Sequence, residues 1–156
     1  MALLDFDGFD RETSNLGMYS SVSASAISSD NQGAFGYGRY ASMWLSKQNA
    51  FPNTGTVYVN YHFYCSDYIR QADFRLYDDA TVQIAISLQI STGFLRILRG
   101  STAIASTTTP VQINTWHFVQ VKAVIHSTSG YVEIRFNGNT ILTFSGNTQN
   151  TGNAYV

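Results

Sequence analysis

The sequence predicts an all-β chain folded as a two-sheet antiparallel sandwich. Three observations predict it. Apolar residues recur with period two rather than at three and four, β-branched and aromatic residues dominate every apolar run, and Gly, Ser, Asn or Asp closes each run. Counting the runs gives about eleven strands and no helix, with turn signals at roughly the eight-to-twelve-residue spacing of sandwiches.

Along the chain, residues 2–6 predict a short strand broken by the turn at residues 7–12. Residues 18–27 alternate small side chains and predict a strand of light core weight. Residues 35–45 carry Gly36 and Gly38 among Phe35, Tyr37 and Tyr40, which suits a strand that is bulged or closely approached by backbone. Residues 49–55, with Pro52, form a loop.

The parity of residues 56–65 separates cleanly. Val57, Val59, Tyr61, Phe63 and Cys65 face the core, and Tyr58, Asn60, His62 and Tyr64 face away. Next come Ala72, Phe74 and Leu76 inward against Asp73, Arg75 and Tyr77 outward, with Asp78 and Asp79 as the turn. Val82, Ile84, Ile86, Leu88 and Ile90 then alternate with Gln83, Ala85, Ser87 and Gln89, the purest strand pattern in the chain. Residues 94–98 and 103–105 predict shorter strands, with Pro110 in the link that follows.

Residues 116–144 predict three antiparallel strands in succession. Val119, Val121, Ala123 and Ile125 must share a side of the sheet with Val132, Ile134 and Phe136. Two registers allow this. Setting Lys122 opposite Glu133 and Gln120 opposite Arg135 beats setting Lys122 opposite Arg135, since facing unlike charges help by roughly 0.2–1 kcal/mol and like charges cost as much. For the second hairpin, a two-residue Asn137-Gly138 turn pairs Ile134 with Ile141. A three-residue loop through Asn139 pairs Ile134 with Leu142 and Val132 with Phe144, and is preferred, with Asn139 left-handed.

Composition bounds the function. At 156 residues one domain spanning residues 1–156 is expected. Charged residues are 12% of the chain, against about 25% in ordinary proteins. A net charge of −1 with nine scattered Lys and Arg predicts neither nucleic acid nor membrane as partner. Cys65 is the single cysteine, which excludes an internal disulfide and fits synthesis in a reducing cytoplasm. No basic leader and no span-length apolar window is present, so a soluble protein without a secretion signal is expected.

The run Trp116-His-Phe-Val-Gln-Val, a Gly-containing turn, Val132-Glu-Ile-Arg-Phe-Asn-Gly and then Thr140-Ile-Leu resembles the late hairpin of concanavalin A-like lectin and laminin-G-like sandwiches. The opening Leu3-Leu-Asp-Phe-Asp-Gly-Phe-Asp10 looks like the start of such domains in structural proteins of tailed bacteriophages. The resemblance implies a jelly-roll sandwich with one curved sheet. It further implies a capsid decoration or cement protein, or a tail or fibre component, made in the host bacterial cytoplasm and placed on the virion surface. Such domains usually close with one more strand after the Asn-Gly hairpin. Residues 154–156 are expected to begin it, so the chain is a fragment or a neighbouring subunit in a homo-oligomer supplies the pairing.

The glucanase branch of this fold cleaves glycosides with a Glu-x-Asp-x-x-Glu strand, because two carboxylates must flank the bond. Here the only glutamates are Glu12 and Glu133, so a non-enzyme is expected; Asp73 and Asp78 are the other carboxylate pair considered. His62 and Cys65 fall on opposite faces of one strand, against zinc. Asp5, Asp7 and Asp10 are a weak calcium candidate without the spacing of a calcium loop, and an exposed turn explains them as simply. No cofactor is implied. The candidate surface is the outward stripe of Tyr58, Asn60, His62 and Tyr64, joined by Arg75 and Tyr77 if the next strand is its neighbour. Rings with amide and guanidinium groups suit a subunit interface or a glycan.

Overall fold

The computed structural model describes residues 21–22, 27–28, 40–41, 45–46, 54–68, 72–78, 80–150, 152–154 and 156. The chain divides into two units, residues 1–52 and 53–156. In the first, β1 (Ser21–Val22) pairs antiparallel with β4 (Leu45–Ser46), and β2 (Ile27–Ser28) with β3 (Tyr40–Ala41). These short pairs fall within or beside the predicted strands over residues 18–27 and 35–45. The expected strand at residues 2–6 and the calcium candidates Asp5, Asp7 and Asp10 lie outside the described residues.

The second unit is a β-sandwich of two antiparallel four-stranded sheets. Its strands are β5 (Thr56–Cys65), β6 (Ala72–Asp78), β7 (Thr81–Leu88), β8 (Phe94–Arg99), β9 (Thr102–Pro110), β10 (Thr115–Val124), β11 (Gly130–Phe136) and β12 (Asn139–Gly146). One sheet runs β12-β11-β10-β5 and the other β6-β7-β8-β9. Val59, Val119, Ile134, Ile84 and Ile97 are all but fully buried between them. Each such side chain contributes roughly 1.5–3 kcal/mol. Toward one end, Tyr61, Phe63, Phe74, Ile86, Leu88, Leu95, Val119 and Phe136 line an apolar cavity of about 70 Å³.

The charge-based register of β10 and β11 is the one found, with Lys122 opposite Glu133 and Gln120 opposite Arg135. The second hairpin combines both readings of its turn. Asn137 (φ 53°) and Gly138 (φ 83°) are both left-handed, as a two-residue primed turn requires, yet Ile134 pairs with Leu142 and Val132 with Phe144. A bulge at Ile141 absorbs the odd residue. Asn137 therefore takes the left-handed conformation expected of Asn139.

Strand β7 departs from its predicted alternation. Gln83, Ala85 and Ser87, expected to face out, are buried. A bulge between the Leu76–Ile84 and Tyr77–Val82 pairings steps the register past Gln83, and bulges break the two-residue period locally. Ala85 and Ser87 are small and lie in register beside longer residues, Ala85 between Arg75 and Leu98 and Ser87 next to Arg96. Ile90, expected inward, is 47% exposed, because β7 ends at Leu88 and a turn closed by Gln89 N–H to Phe94 O (2.9 Å) follows. Strand β9 is longer than predicted and includes Pro110, tolerated on an edge strand where no ladder donor is missed.

After β12 the chain crosses the end of the sandwich. Thr148 bonds to β10's end, Asn150 N–H donates to Gln83 Oε1 (2.7 Å), and Gln83 Nε2 donates to Asn153 O (3.0 Å). Val156 then exchanges two backbone bonds with Thr54, at 3.2 and 3.4 Å, just before β5. Val156 thus lies beside the start of β5; the strand at residues 2–6, near which a closing strand is expected, lies outside the described residues.

Candidate functional site

The outer face of the β12-β11-β10-β5 sheet collects the candidate residues. On β5, Tyr58, Asn60, His62 and Tyr64 are exposed, and Val57, Val59 and Cys65 are buried, as parity predicts. Ladder pairing then adds a second strand of large side chains. Trp116 lies opposite Tyr64, Phe118 opposite His62, Gln120 opposite Asn60 and Lys122 opposite Tyr58.

Arg75 and Tyr77 do not join this stripe. Strand β6 pairs with β7 in the other sheet, so the neighbour of β5 is β10, which follows it in sequence by some fifty residues. Both are exposed, but on a different sheet. Trp116 and Phe118 are not among the sequence candidates, which come from the β5 stripe and the strand next to it in sequence. Their signal was legible: they stand on the opposite parity from Val119 and Val121, where polar residues were expected.

The face has an aromatic half and a polar half. In the first, the Tyr64 and Trp116 rings are 5.3 Å apart and tilted by 42°, and the His62 and Phe118 rings are 5.2 Å apart and tilted by 40°. Successive rows on one face are about 7 Å apart, so the four rings form one patch. Tyr64 is 39% exposed and Phe118 36%. Two anchors hold it. The Tyr64 hydroxyl donates to Asn114 Oδ1 (3.3 Å), and the Phe118 and Asn137 backbones are tied by Asn137 N–H to Phe118 O (2.8 Å) and Phe118 N–H to Asn137 Oδ1 (2.9 Å).

In the polar half, Asn60, Gln120 and Arg135 lie in one row and Tyr58, Lys122 and Glu133 in the next. Glu133 Oε1 accepts from Thr140 Oγ1 (2.8 Å) and from Arg135 Nε (2.9 Å). The Thr140 hydroxyl first, and the Arg135 guanidinium second, hold the Glu133 carboxyl below the usual carboxylate range. Lys122 faces Glu133 across the ladder, but its ammonium lies over two rings instead, 5.6 Å from the centre of Tyr58 and 5.7 Å from that of Tyr131.

Cys65, Asp78 and His117 are tied to neighbouring segments. Cys65 is buried with its thiol donating to Asp67 O (2.6 Å), and burial pushes the thiol up, while His62 faces outward. Asp78 accepts from Asn153 Nδ2 (2.7 Å), which ties it to the chain end. His117 is buried against Phe136 with Nε2 2.9 Å from Gln112 O. Among the described residues no three His, Cys, Asp or Glu side chains gather as a metal site needs, and no helix is long and apolar enough to cross a membrane. No family model, curated protein or solved structure matches this chain.

Proposed function

We propose that this chain is a non-enzymatic structural module of a tailed-bacteriophage particle, capsid-decorating or tail-associated, and that it works by contact through the outer face of β5 and β10. The concanavalin A-like jelly roll of about eleven strands belongs to the same proposal. The observation that carries the contact surface is the exposed ring patch of Tyr64, Trp116, His62 and Phe118 on a rigid ladder. Large rings held on strands lose little entropy on binding and fill interface cores. The placement in a phage rests on the resemblance of residues 3–10 and 116–142 to such domains. Particle-borne copies of the chain, counted by mass spectrometry in multiples of a particle symmetry, test the placement. Its absence from purified particles overturns it.

A second reading, a carbohydrate-binding module for host-surface recognition, is favoured by the row Asn60, Gln120 and Arg135 beside the rings. Rings stack on the apolar faces of sugars, and amides and guanidinium bond their hydroxyls. Selective binding on a glycan array, abolished by Tyr64→Ala and Trp116→Ala, tests it.

A further inference from the structure

We infer that Tyr58, Lys122 and Tyr131 form a subsite for an acidic saccharide, a pyranose carrying a carboxylate. The inference rests on the carbohydrate reading of this face and names the ligand class. Lys122 projects from the second strand of the sheet, and its ammonium is held over two tyrosine rings at 5.6 and 5.7 Å. Rings attract the ammonium but accept none of its N–H groups as an oxygen would. Among the described residues no oxygen acceptor closes on it: the facing Glu133 bonds Arg135 and Thr140 through Oε1, and Lys122 acts on that carboxylate only as charge at a distance. The charged residues of the polar half, Lys122, Arg135 and Glu133, leave one cation over.

A flat acidic sugar answers these features together. Its carboxylate meets three unspent ammonium donors, a charge-assisted contact about twice as strong as a neutral one. Its apolar ring face meets Tyr58, which is 48% exposed. Its hydroxyls meet Asn60 and Gln120 in the adjacent row. An acidic peptide supplies the carboxylate but no flat partner for the rings, so a saccharide fits better.

The test is calorimetric titration of the whole chain with hexagalacturonate, its fully methyl-esterified form and hexaglutamate, using the native protein, Lys122→Met and Lys122→Arg. Circular dichroism confirms that each variant is folded. The expected result is binding of hexagalacturonate that weakens about tenfold on esterification or in Lys122→Met and is kept in Lys122→Arg. Equal binding of the acid and its ester, unaffected by Lys122→Met, overturns the inference and leaves the carbohydrate reading standing. Binding of neither saccharide overturns the inference, and a blank glycan array beside it overturns the carbohydrate reading as well; hexaglutamate bound as tightly as hexagalacturonate overturns the saccharide assignment.

Discussion

Thr148 fills the space that Gly130 leaves empty. Its hydroxyl donates to Val124 O (2.6 Å) and accepts from His126 N–H (3.0 Å), and its own N–H donates to His126 O (3.0 Å). A Cβ on Gly130 would collide with Thr148 Oγ1 and lie 2.7 Å from Gly146 O. The pair fastens the chain after β12 onto the end of the β10-β11 hairpin. Gly130→Ala is expected to cost about 1–3 kcal/mol by overpacking. Thr148→Val, which leaves the part-buried His126 amide without this acceptor, should cost about 1–2 kcal/mol. Urea unfolding midpoints check both, and an unchanged midpoint for either would speak against the clamp.

Gln83 holds the same segment on the other sheet. Both polar atoms of its amide are used, Oε1 by Asn150 N–H and Nε2 by Asn153 O, and its side chain is fully buried. Gln83→Leu keeps the volume and loses both bonds, so a destabilisation of about 2–3 kcal/mol is expected. Hydrogen exchange should quicken at residues 149–154 before it changes in β7. Uniform quickening would mean that Gln83 acts on the core as a whole.

The Asn137-Gly138 turn makes a backbone prediction. Gly138 sits at φ 83° with open space around its Cα, so Gly138→Ala meets strain rather than collision and should cost about 1 kcal/mol. Asn137→Ala loses tolerance of φ 53° and the acceptor for Phe118 N–H, and should cost about 1–2 kcal/mol. A cost at Asn137 smaller than that at Gly138 would contradict this division.

Stability should fall at both ends of the pH scale for separable reasons. The Tyr61 ring stacks on Phe74 at 5.2 Å, and burial pushes its phenol up from the ordinary value near 10. The neutral form is favoured in the folded chain, so this contribution is full below pH 10 and is lost as pH rises beyond it. Tyr61→Phe should flatten the alkaline limb of a melting-temperature profile. The Glu133 carboxyl is held low, so its contribution is present above the ordinary carboxylate range, about pH 4.3, and fades as pH falls below it. Glu133→Gln should remove that small acid limb and leave the alkaline one.

Local pattern carried the strands and their faces, because period-two alternation is a property of the chain itself. It also carried the β10-β11 register, where Lys122 and Glu133 leave one favourable choice. The charges reach that register by a different route, since Glu133 bonds Arg135 and Thr140 while Lys122 turns to the tyrosines. What pattern could not carry was the pairing of β5 with β10, since sequence neighbours β5 and β6 both alternate and nothing in either states which sheet it joins. Hence the condition for Arg75 and Tyr77 to join the stripe is not met, although both face outward as expected, and Trp116 and Phe118 take the neighbouring places. The burial of Gln83 was hidden for another reason. A bulge, and the distant Asn150 and Asn153 that satisfy the amide, all lie outside a local window.

The proposed role of the β5-β10 outer face as the contact surface is tested most directly by hydroxyl-radical footprinting of the free chain and of the chain in the phage particle proposed to carry it. Oxidation of Tyr64, Trp116 and Phe118 should drop several-fold in the particle, while Tyr77 on the other sheet keeps its rate. Equal oxidation of the three rings in both states, with protection appearing elsewhere, would contradict the account.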